Sequence, residues 1–317
     1  MSTVAPPALG REAGTSIRFR LRELWYQIKS KRVSYLMLAP FGLVFATFTV
    51  LPVVVAMALS FTYYNMLEAP TFIGWQNYLR LFLADDVFLI AVKNTFVFAA
   101  ITGPLSYFLC LVFAWMINEL KPKLRAVLTL MFYAPSISGN VFLMWTLIFH
   151  GDSYGYVNGF LLHHGLIDAP IQFLTDPEWM MRIVVLVTLW MSLGTTFLVF
   201  IAGLQNIDPV LYEAGAIDGV KNRVQEFIFL TLPAMKPQLL FGAILSITGS
   251  FAAAGQIIPL VGFPSTDYAA HTVVAHLLDY GNVRFEMGYA SSIAVVLFIS
   301  MVIAQRVVQR LLKKLDS

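Results

Sequence analysis

The chain has 317 residues, of which 58% are hydrophobic and only 12% carry a formal charge. Soluble domains are about 45–50% apolar and about 25% charged, so this composition, with a mean hydropathy of +0.74, indicates a membrane protein and excludes a soluble enzyme or a disordered chain. The net charge of +3 is too small for a nucleic-acid-binding surface, and the single cysteine, Cys110, excludes an intrachain disulfide and a thiolate metal cluster.

Six stretches without Asp, Glu, Lys or Arg approach or exceed the roughly 20 residues that a helix needs to cross a bilayer. They are residues 33–67, 94–118, 126–151, 183–207, 237–266 and 287–305. The next longest such stretch has only 15 residues, and a charge at the bilayer centre costs roughly 2.5–3.5 kcal/mol. The sequence therefore predicts an all-α polytopic membrane protein with six transmembrane helices. We place these spans at about 36–61, 90–116, 126–149, 183–206, 238–261 and 287–308.

A basic leader, residues 1–32, precedes this six-span domain, which extends over 33–312 and is followed by a short tail. The first charge-free stretch contains Pro40 and Pro52 but no cluster of turn residues, so we expect one helix there rather than a hairpin. No short apolar segment with a small-residue cleavage site precedes Val33. We therefore expect the leader to remain attached and the first helix to act as an uncleaved anchor.

The basic residues are distributed unevenly about the predicted spans. Of the 21 Lys and Arg residues, 17 fall in the leader, the second and fourth loops and the C-terminal segment 306–317, which includes the tail at 313–317. The positive-inside rule then places both termini in the cytoplasm. The loops on the external side, which we expect to form turns and short helices, are 68–87, 152–181 and 267–286.

Motifs for an intramembrane enzyme are absent from the sequence. It contains no His-Glu-x-x-His, no Gly-x-Ser-x-Gly and no Gly-x-x-x-x-Gly-Lys-Ser/Thr pattern, so we predict no catalytic residue, metal site or ATP site in this chain. The charge-free stretches also lack the Asp, Glu and Lys side chains that proton-coupled carriers place in the membrane. Such a carrier is disfavoured, while sodium coupling through carbonyl and hydroxyl oxygens stays open.

Neutral polar and aromatic side chains occupy the third, fourth and fifth spans instead. They can exchange hydrogen bonds with a neutral, hydroxyl-rich solute without burying a charge, although Ser and Thr in membranes more often serve helix packing. The candidates for a solute path are Asn140, Trp190, Thr195, Ser250 and Gln256.

The longest inner loop, 208–236, has the pattern of a helical elbow. Asp208 followed by Pro209 predicts a helix start, because the carboxylate can cap free N–H groups and proline fits the first helical position. This helix is expected to reach about Asp218 and to end at Gly219. A second helical segment is predicted from about Asn222 to just before Pro233.

The first arm of the elbow contains three small residues, Ala214, Gly215 and Ala216, framed by Glu213 and Asp218. Small side chains permit close approach of another protein. The loop holds three basic and four acidic residues, so it lacks the basic excess of a lipid-binding segment. A protein-docking surface is the better interpretation.

This elbow resembles the Glu-Ala-Ala loop of ABC importer permeases, in particular the binding-protein-dependent sugar permeases of the maltose and glycerol-3-phosphate type. The resemblance extends over roughly residues 35–312. The matching motifs are Glu213-Ala214-Gly215, Asp218-Gly219, Leu232-Pro233, Gly74-x-x-Asn77-Tyr78, Asn94-Thr95, Ala202-Gly203-Leu204-Gln205 and Gly288-Tyr289-Ala290. Gly215 departs from the family's usual alanine, at a cost of up to about 1 kcal/mol in helix propensity.

The resemblance implies the type I ABC importer permease architecture and a permease for an oligosaccharide or related polyol, located in the inner membrane of a prokaryote. It implies that the elbow, through residues 213–219 and Pro233, is a coupling helix that fits a groove of a cytoplasmic ATPase. The implied partners are a second homologous permease, two ATPase subunits that hold ATP and magnesium, and an extracytoplasmic solute-binding protein. An ion-coupled carrier or channel for a small polar solute remains the alternative, and it leaves the elbow unexplained. Arg284 is either a contact for an acidic sugar or an interfacial anchor.

Overall fold

The computed structural model describes residues 30–139 and 141–314, without the side chains of 312–314. Most of the predicted leader, Asn140 and the last three residues of the tail therefore lie outside the described residues. The chain divides into two compact units, Met1–Val55 and Ala56–Ser317, with the boundary inside the first long helix.

Helices make up most of the described chain. The α-helices are α1 (Arg32–Phe45), α2 (Leu51–Leu59), α3 (Gln76–Leu83), α4 (Asp86–Asn118), α5 (Pro122–Ile137), α6 (Val141–Ile148), α7 (Tyr156–His163), α8 (Pro177–Met191), α9 (Thr195–Gln205), α10 (Pro209–Ile217), α11 (Arg223–Glu226), α12 (Leu232–Ala234), α13 (Lys236–Phe251), α14 (Ala254–Val261), α15 (Val273–Leu278) and α16 (Met287–Lys314). The π-helical turns are Ala46–Val50, Phe227–Thr231 and Asp279–Val283, and a 3-10 turn spans Thr266–Tyr268. The strands β1 (Thr62–Tyr63) and β2 (Thr71–Phe72) pair antiparallel, with Thr62 opposite Phe72.

In the described part of the chain, five helical segments are long and apolar enough to cross a membrane. They are Arg32–Leu59, Asp86–Asn118, Pro177–Gln205, Lys236–Val261 and Met287–Leu311. Helices α5 and α6 pass the same test together but meet at 83°, so they form a sixth span if the bent pair counts as one. The prediction of an all-α polytopic membrane protein is confirmed.

The first helix remains continuous through both of its prolines. Pro40 lies inside α1, and a π-helical turn precedes Pro52, with the Leu51 amide donating to the Ala46 carbonyl. A proline lacks the N–H that an α-helix needs, and a π turn changes the hydrogen-bond register just before it. The single helix expected here is confirmed.

The third span bends where the sequence reads Pro135-Ser-Ile-Ser-Gly139. Helix α5 ends at Ile137, and Ser138 takes an extended conformation with ψ 112°. Pro135 cannot donate a backbone hydrogen bond, and the Ser136 hydroxyl donates to the Tyr133 carbonyl at 2.7 Å, which competes with the helical ladder. Counting charges does not detect this bend, because the segment carries no charged side chain.

Helix α4 is the central helix of the second unit and packs against α8, α9 and α13. Its N-terminal third shares an apolar cluster with Tyr289 and Ile293 of α16. Its C-terminal third shares another with Phe197 and Phe200 of α9. The helix therefore connects the packing at one end of the bundle with that at the other.

The external end of α16 is built around a close backbone contact. The Gly288 amide donates to the Tyr64 carbonyl at 3.1 Å, and a β-carbon at position 288 would overlap the carbonyl oxygen of Thr62. The Asn77 side chain donates to the Ser60 and Thr62 carbonyls, both at 2.9 Å. The Gly288 and Asn77 motifs thus fix the β1 hairpin to the start of the last span.

Replacing Gly288 with alanine should destabilise the protein by about 1–3 kcal/mol, because backbone atoms must move to admit the methyl group. The expected result is a lower apparent melting temperature of the purified chain in detergent. Gly249→Ala is the matched control: a β-carbon there would meet nothing within 4 Å, so this variant should melt at or above the temperature of the parent. Equal melting temperatures for the two variants would contradict the prediction.

Candidate functional site

The first arm of the elbow, α10, begins and ends where the sequence predicts. The Asp208 carboxylate accepts a hydrogen bond from the Val210 amide at 3.0 Å, and Pro209 occupies the first helical position. The helix ends at Ile217, and Gly219 follows with φ +91°, in the left-handed region. Both predictions, the start at Asp208 and the end at Gly219, are confirmed.

The second arm begins with a reciprocal cap. The Asn222 side chain accepts from the Gln225 amide at 2.8 Å, and the Gln225 side chain accepts from the Lys221 amide at 2.9 Å. The prediction that the second arm ends before Pro233 is wrong, because the helix continues to Ala234. The Leu232 amide donates to the Phe227 carbonyl across a π turn, and this change of register accommodates the proline, as it does before Pro52.

Gly215 lies at the contact between the two arms. It is buried, and a β-carbon at this position would overlap the end of the Leu230 side chain. One turn earlier on α10, the Tyr212 hydroxyl lies 3.2 Å from the hydroxyl of Thr231. The side of α10 that carries Gly215 is therefore covered by the chain's own second arm, which explains why glycine replaces alanine here.

The opposite side of α10 is open. Glu213, Ala214, Ala216 and Asp218 are exposed, and Ile217 is 88% exposed. Within the described residues, the Glu213 carboxylate makes no hydrogen bond or ion pair. A surface of small side chains, two carboxylates and one exposed isoleucine is suited to docking a protein. Sequence reasoning missed Ile217, although it lies four residues after Glu213 and so shares its helix face.

The second arm is attached to the inner end of α4. The rings of Phe227 and Trp115 lie 4.6 Å apart, and Arg223 bridges to Glu119 at 3.4 Å and to Glu226 at 2.8 Å. Because these ion pairs are exposed, each contributes little, and the aromatic contact is the firmer one. The second arm therefore packs directly against the C-terminal end of α4.

Trp190 of the predicted solute path lies beside the bend in the third span. Its ring is 40% exposed and meets Trp145 at 5.1 Å in a T-shaped contact. Together with Pro135, it lines a cavity of about 370 Å³. Thr195 is exposed at the first turn of α9. Sequence reasoning did not predict Trp145, because only the fold brings its ring against that of Trp190.

The other path candidates lie elsewhere. Ser250 is buried, donates to the Ser246 carbonyl at 2.9 Å, and lines a separate apolar cavity of about 360 Å³ with Tyr107. The Gln256 side-chain oxygen is buried without a hydrogen-bond partner in the described part of the chain. Asn140 lies outside the described residues. Trp190 and Ser250 thus line different cavities rather than one.

Arg284 is engaged by its own chain. It bridges to Asp279 at 2.7 Å and lies 4.4 Å from the centre of the Tyr280 ring. A second arginine beside the same ring, Arg80, is paired with Glu286 at 2.6 Å. Both guanidinium groups are therefore paired with carboxylates of the chain itself.

Comparison with known proteins identifies relatives over nearly the whole chain. Residues 108–317 match the family model described as binding-protein-dependent transport system inner membrane component. A probable ABC transporter permease protein of Bacillus subtilis, YesP, is 32% identical over 277 residues, 86% of this chain and 87% of the relative. The lactose transport system permease protein LacF of Rhizobium radiobacter is 34% identical over 219 residues, 68% of this chain and 72% of the relative.

A solved structure has the same fold. A bacterial alginate ABC transporter, crystallised in complex with an alginate pentasaccharide-bound periplasmic protein, contains a chain that superposes with a TM-score of 0.71. The two chains share 26% sequence identity, and the match covers 92% of this chain and 98% of the other. The predicted type I permease architecture is confirmed by this similarity.

A double-mutant cycle between Gly215 and Leu230 tests the packing of the elbow. In a Leu230→Ala background, Gly215→Ala should stabilise the protein by up to about 1 kcal/mol, because alanine has the higher helix propensity. With Leu230 present, the new methyl group must displace the Leu230 side chain, which should cancel or reverse that gain. The expected coupling energy between the two positions is about 0.5–3 kcal/mol. The measurement is thermal or denaturant unfolding of the four purified variants.

The matched control is Ala216→Gly, a substitution at the exposed neighbouring position. It should cost up to about 1 kcal/mol in both backgrounds. If Gly215→Ala changed stability equally with and without Leu230, the contact between the arms would not be responsible for the glycine.

Proposed function

Because this chain belongs to the family of binding-protein-dependent transport system inner membrane components, we propose that it is the permease subunit of an ATP-driven ABC importer for an oligosaccharide or related polyol. The observation that carries the proposal is the elbow: a capped helix, braced by its own second arm, with an exposed face of small and acidic residues. Relatives named as sugar transport permeases support the solute class. An ion-coupled carrier or channel would give this elbow no role.

The subunits of the importer follow from the chemistry that this chain lacks. Its sequence has no phosphate-binding loop, so ATP and magnesium are held by two cytoplasmic ATPase subunits, one of them docked on α10. A second, homologous permease completes the pathway. The alginate transporter, which was crystallised with its loaded periplasmic protein, supports a solute-binding protein docked on the external loops. Both termini then lie in the cytoplasm, as the distribution of basic residues indicates.

The mechanism is alternating access with the energy supplied by partner subunits. Closure of the ATPases on ATP displaces α10, and its brace at Gly215 and Leu230 makes the two arms move together. Phe227 and Trp115 pass the movement to α4. Each ligand shifts the balance between inward-facing and outward-facing states by its different affinity for the two.

A neutral solute is the class that the external face supports best. The charge-free spans bury no ion, and Arg80 and Arg284 are already paired with carboxylates. Among the similar proteins, one permease is named for lactose, and another transporter imports the acidic polysaccharide alginate. The family therefore accepts both classes, and the choice falls to the residues of each chain.

Reversing the charge of Glu213 tests the docking surface. The variant Glu213→Lys should reduce the amount of ATPase that co-purifies with the permease by tenfold or more, at least about 1.4 kcal/mol, because like charges across an interface cost several kcal/mol. Sugar uptake should fall with it. Glu68→Lys, the same reversal at an exposed position of the external hairpin, is the control and should leave the ATPase bound. Undiminished ATPase binding and uptake in Glu213→Lys would show that α10 is not the coupling site.

A competition assay tests the solute class. In cells carrying the complete set of subunits, uptake of a labelled neutral oligosaccharide should be reduced by other neutral oligosaccharides and not by uronic-acid oligosaccharides. Arg284→Gln should leave uptake within about twofold, because this arginine pairs with Asp279 and exposed pairs contribute little. Competition by the acidic sugars, together with loss of uptake in Arg284→Gln, would instead identify an acidic solute.

A further inference from the structure

A buried carboxylate lies where three external elements meet. Asp85, which precedes α4, is 8% exposed. It accepts hydrogen bonds from the Phe88 amide at 2.9 Å and from the Tyr289 hydroxyl of α16 at 2.7 Å. His276 of α15 lies within hydrogen-bond distance as well, because its Nε2 is 3.0 Å from Oδ2 of Asp85, the oxygen that also accepts from Tyr289. Neither the coupling elbow nor the solute path uses this group.

Two histidines continue the chain of hydrogen bonds inward from Asp85. His276 Nδ1 lies 3.3 Å from Nε2 of His271, and the two residues are 2% and 3% exposed. An ionised carboxylate only accepts hydrogen bonds, so His276 donates from Nε2 to Asp85 and accepts at Nδ1. His271 must then donate from its own Nε2. The geometry therefore fixes the tautomer of both rings while both are neutral.

Several other titratable or charged groups face this chain of three residues. Those that interact electrostatically with His271 or contact its neighbours are Tyr268, Asp279, Tyr280, Arg284, Tyr289, Arg80 and Glu286. Burial, and then the neighbouring His276, lower the pKa of His271 to about 4. Burial opposes ionisation of Asp85, but hydrogen bonds from Tyr289, the Phe88 amide and His276 hold its pKa below the ordinary value.

The same segment is fastened to α4 by two further side chains. Asn94 donates to the carbonyls of Tyr268 and His271, at 2.9 and 3.0 Å. Thr95 accepts from the Val273 amide at 2.9 Å. Side chains of α4 thus hold the backbone of segment 263–278 against that helix. Both histidines belong to this segment and are buried there. We call this arrangement the external joint.

We propose that the hydrogen-bonded chain of Asp85, His276 and His271 is a proton-sensitive latch, and that a proton taken up by His271 releases the segment 263–278 from the external end of α4. Protonation of His271 places a cation in a buried position beside His276, whereas the released segment exposes the ring to water, where the charge is solvated. The proton therefore binds the open joint in preference to the closed one. The proposal rests on these contacts and is independent of the solute and the partner subunits.

The direction of the pH effect follows from linkage. Above about pH 6.5, the ordinary pKa of histidine, His271 is neutral in both forms and the joint does not respond to pH. Between pH 6.5 and about 4 only the open form binds the proton, so the closed form loses stability as the pH falls. The lowered pKa of Asp85 acts in the same direction, but only below its ordinary value of 3.8. Acid therefore opens the joint.

Hydrogen exchange of the full-length chain in lipid nanodiscs, with the subunits that co-purify, measures this opening. Protection factors, corrected for the intrinsic exchange rate at each pH, should fall in segment 263–278 by up to about 25-fold between pH 7.5 and 5.0, as His271 pKa values of 6.5 and 4 require. Helix α7 is the internal control, because it is also external and ends in His163 and His164, both exposed. Its protection should not change.

The variant His271→Gln separates the proton from the packing. Glutamine can still donate to His276 Nδ1 but cannot bind a proton, so protection of 263–278 should become independent of pH. If that variant does not fold, titration of the unaltered chain still decides: the logarithm of the protection factor should rise with pH with a slope approaching one between pH 5 and 6, and level off above 7. Equal protection at pH 7.5 and 5.0 in the unaltered chain, or a pH response retained in His271→Gln, would overturn the proposal.

Discussion

The hydrogen bonds to Asp85 fix the outer end of α4, and the arrangement of the external side depends on them. The carboxylate caps the 33-residue helix through the Phe88 amide and also accepts from Tyr289 at the start of the last span. At the other end of α4, Trp115 packs against Phe227 of the elbow. A hydrogen bond to a buried, ionised carboxylate is stronger than one between neutral groups. One helix is thus held by a charged cap at its N-terminal end and by an aromatic contact near its C-terminal end, which connects the two ends of the helix bundle through a single element.

The features that the sequence predicts well are those with a local or a bilayer-wide cause. Charged side chains are costly in hydrocarbon, so the spans can be identified as charge-free stretches without knowing which residues pack against them. The first arm of the elbow is equally local: an aspartate before a proline starts a helix, and Gly219 ends it with a positive φ that other residues rarely adopt. The predicted end of the second arm before Pro233 was wrong, because a π turn, which needs no special sequence, lets the helix continue through a proline.

The features that were not predicted arise from contacts between residues far apart in the chain. His276 and Asp85 are separated by 191 positions, and neither has a local pattern that distinguishes it from a loop residue. Gly215 looked like part of a small docking surface, whereas packing against Leu230 buries it. In both cases the sequence shows the residue type, but the role of the residue is set by the neighbour that the fold brings to it. Pairing of this kind has no signature in one sequence.

The interior of the membrane domain is less regular than its two ends. The third span breaks after Ile137 and the fourth between Met191 and Thr195, and a β-carbon on Gly194 would lie 3.2 Å from the side chain of Ser136, so the two breaks touch. Irregular backbone is tolerated at membrane depth only where protein or a cavity satisfies its polar groups. The Cys110 thiol donates to the Ser192 carbonyl at 3.2 Å, and a cavity of about 370 Å³ lined by Trp190 adjoins both breaks. Because the two breaks and the cavity lie together, this interrupted centre is where the backbone can change shape around a solute while the regular helices on either side keep their packing.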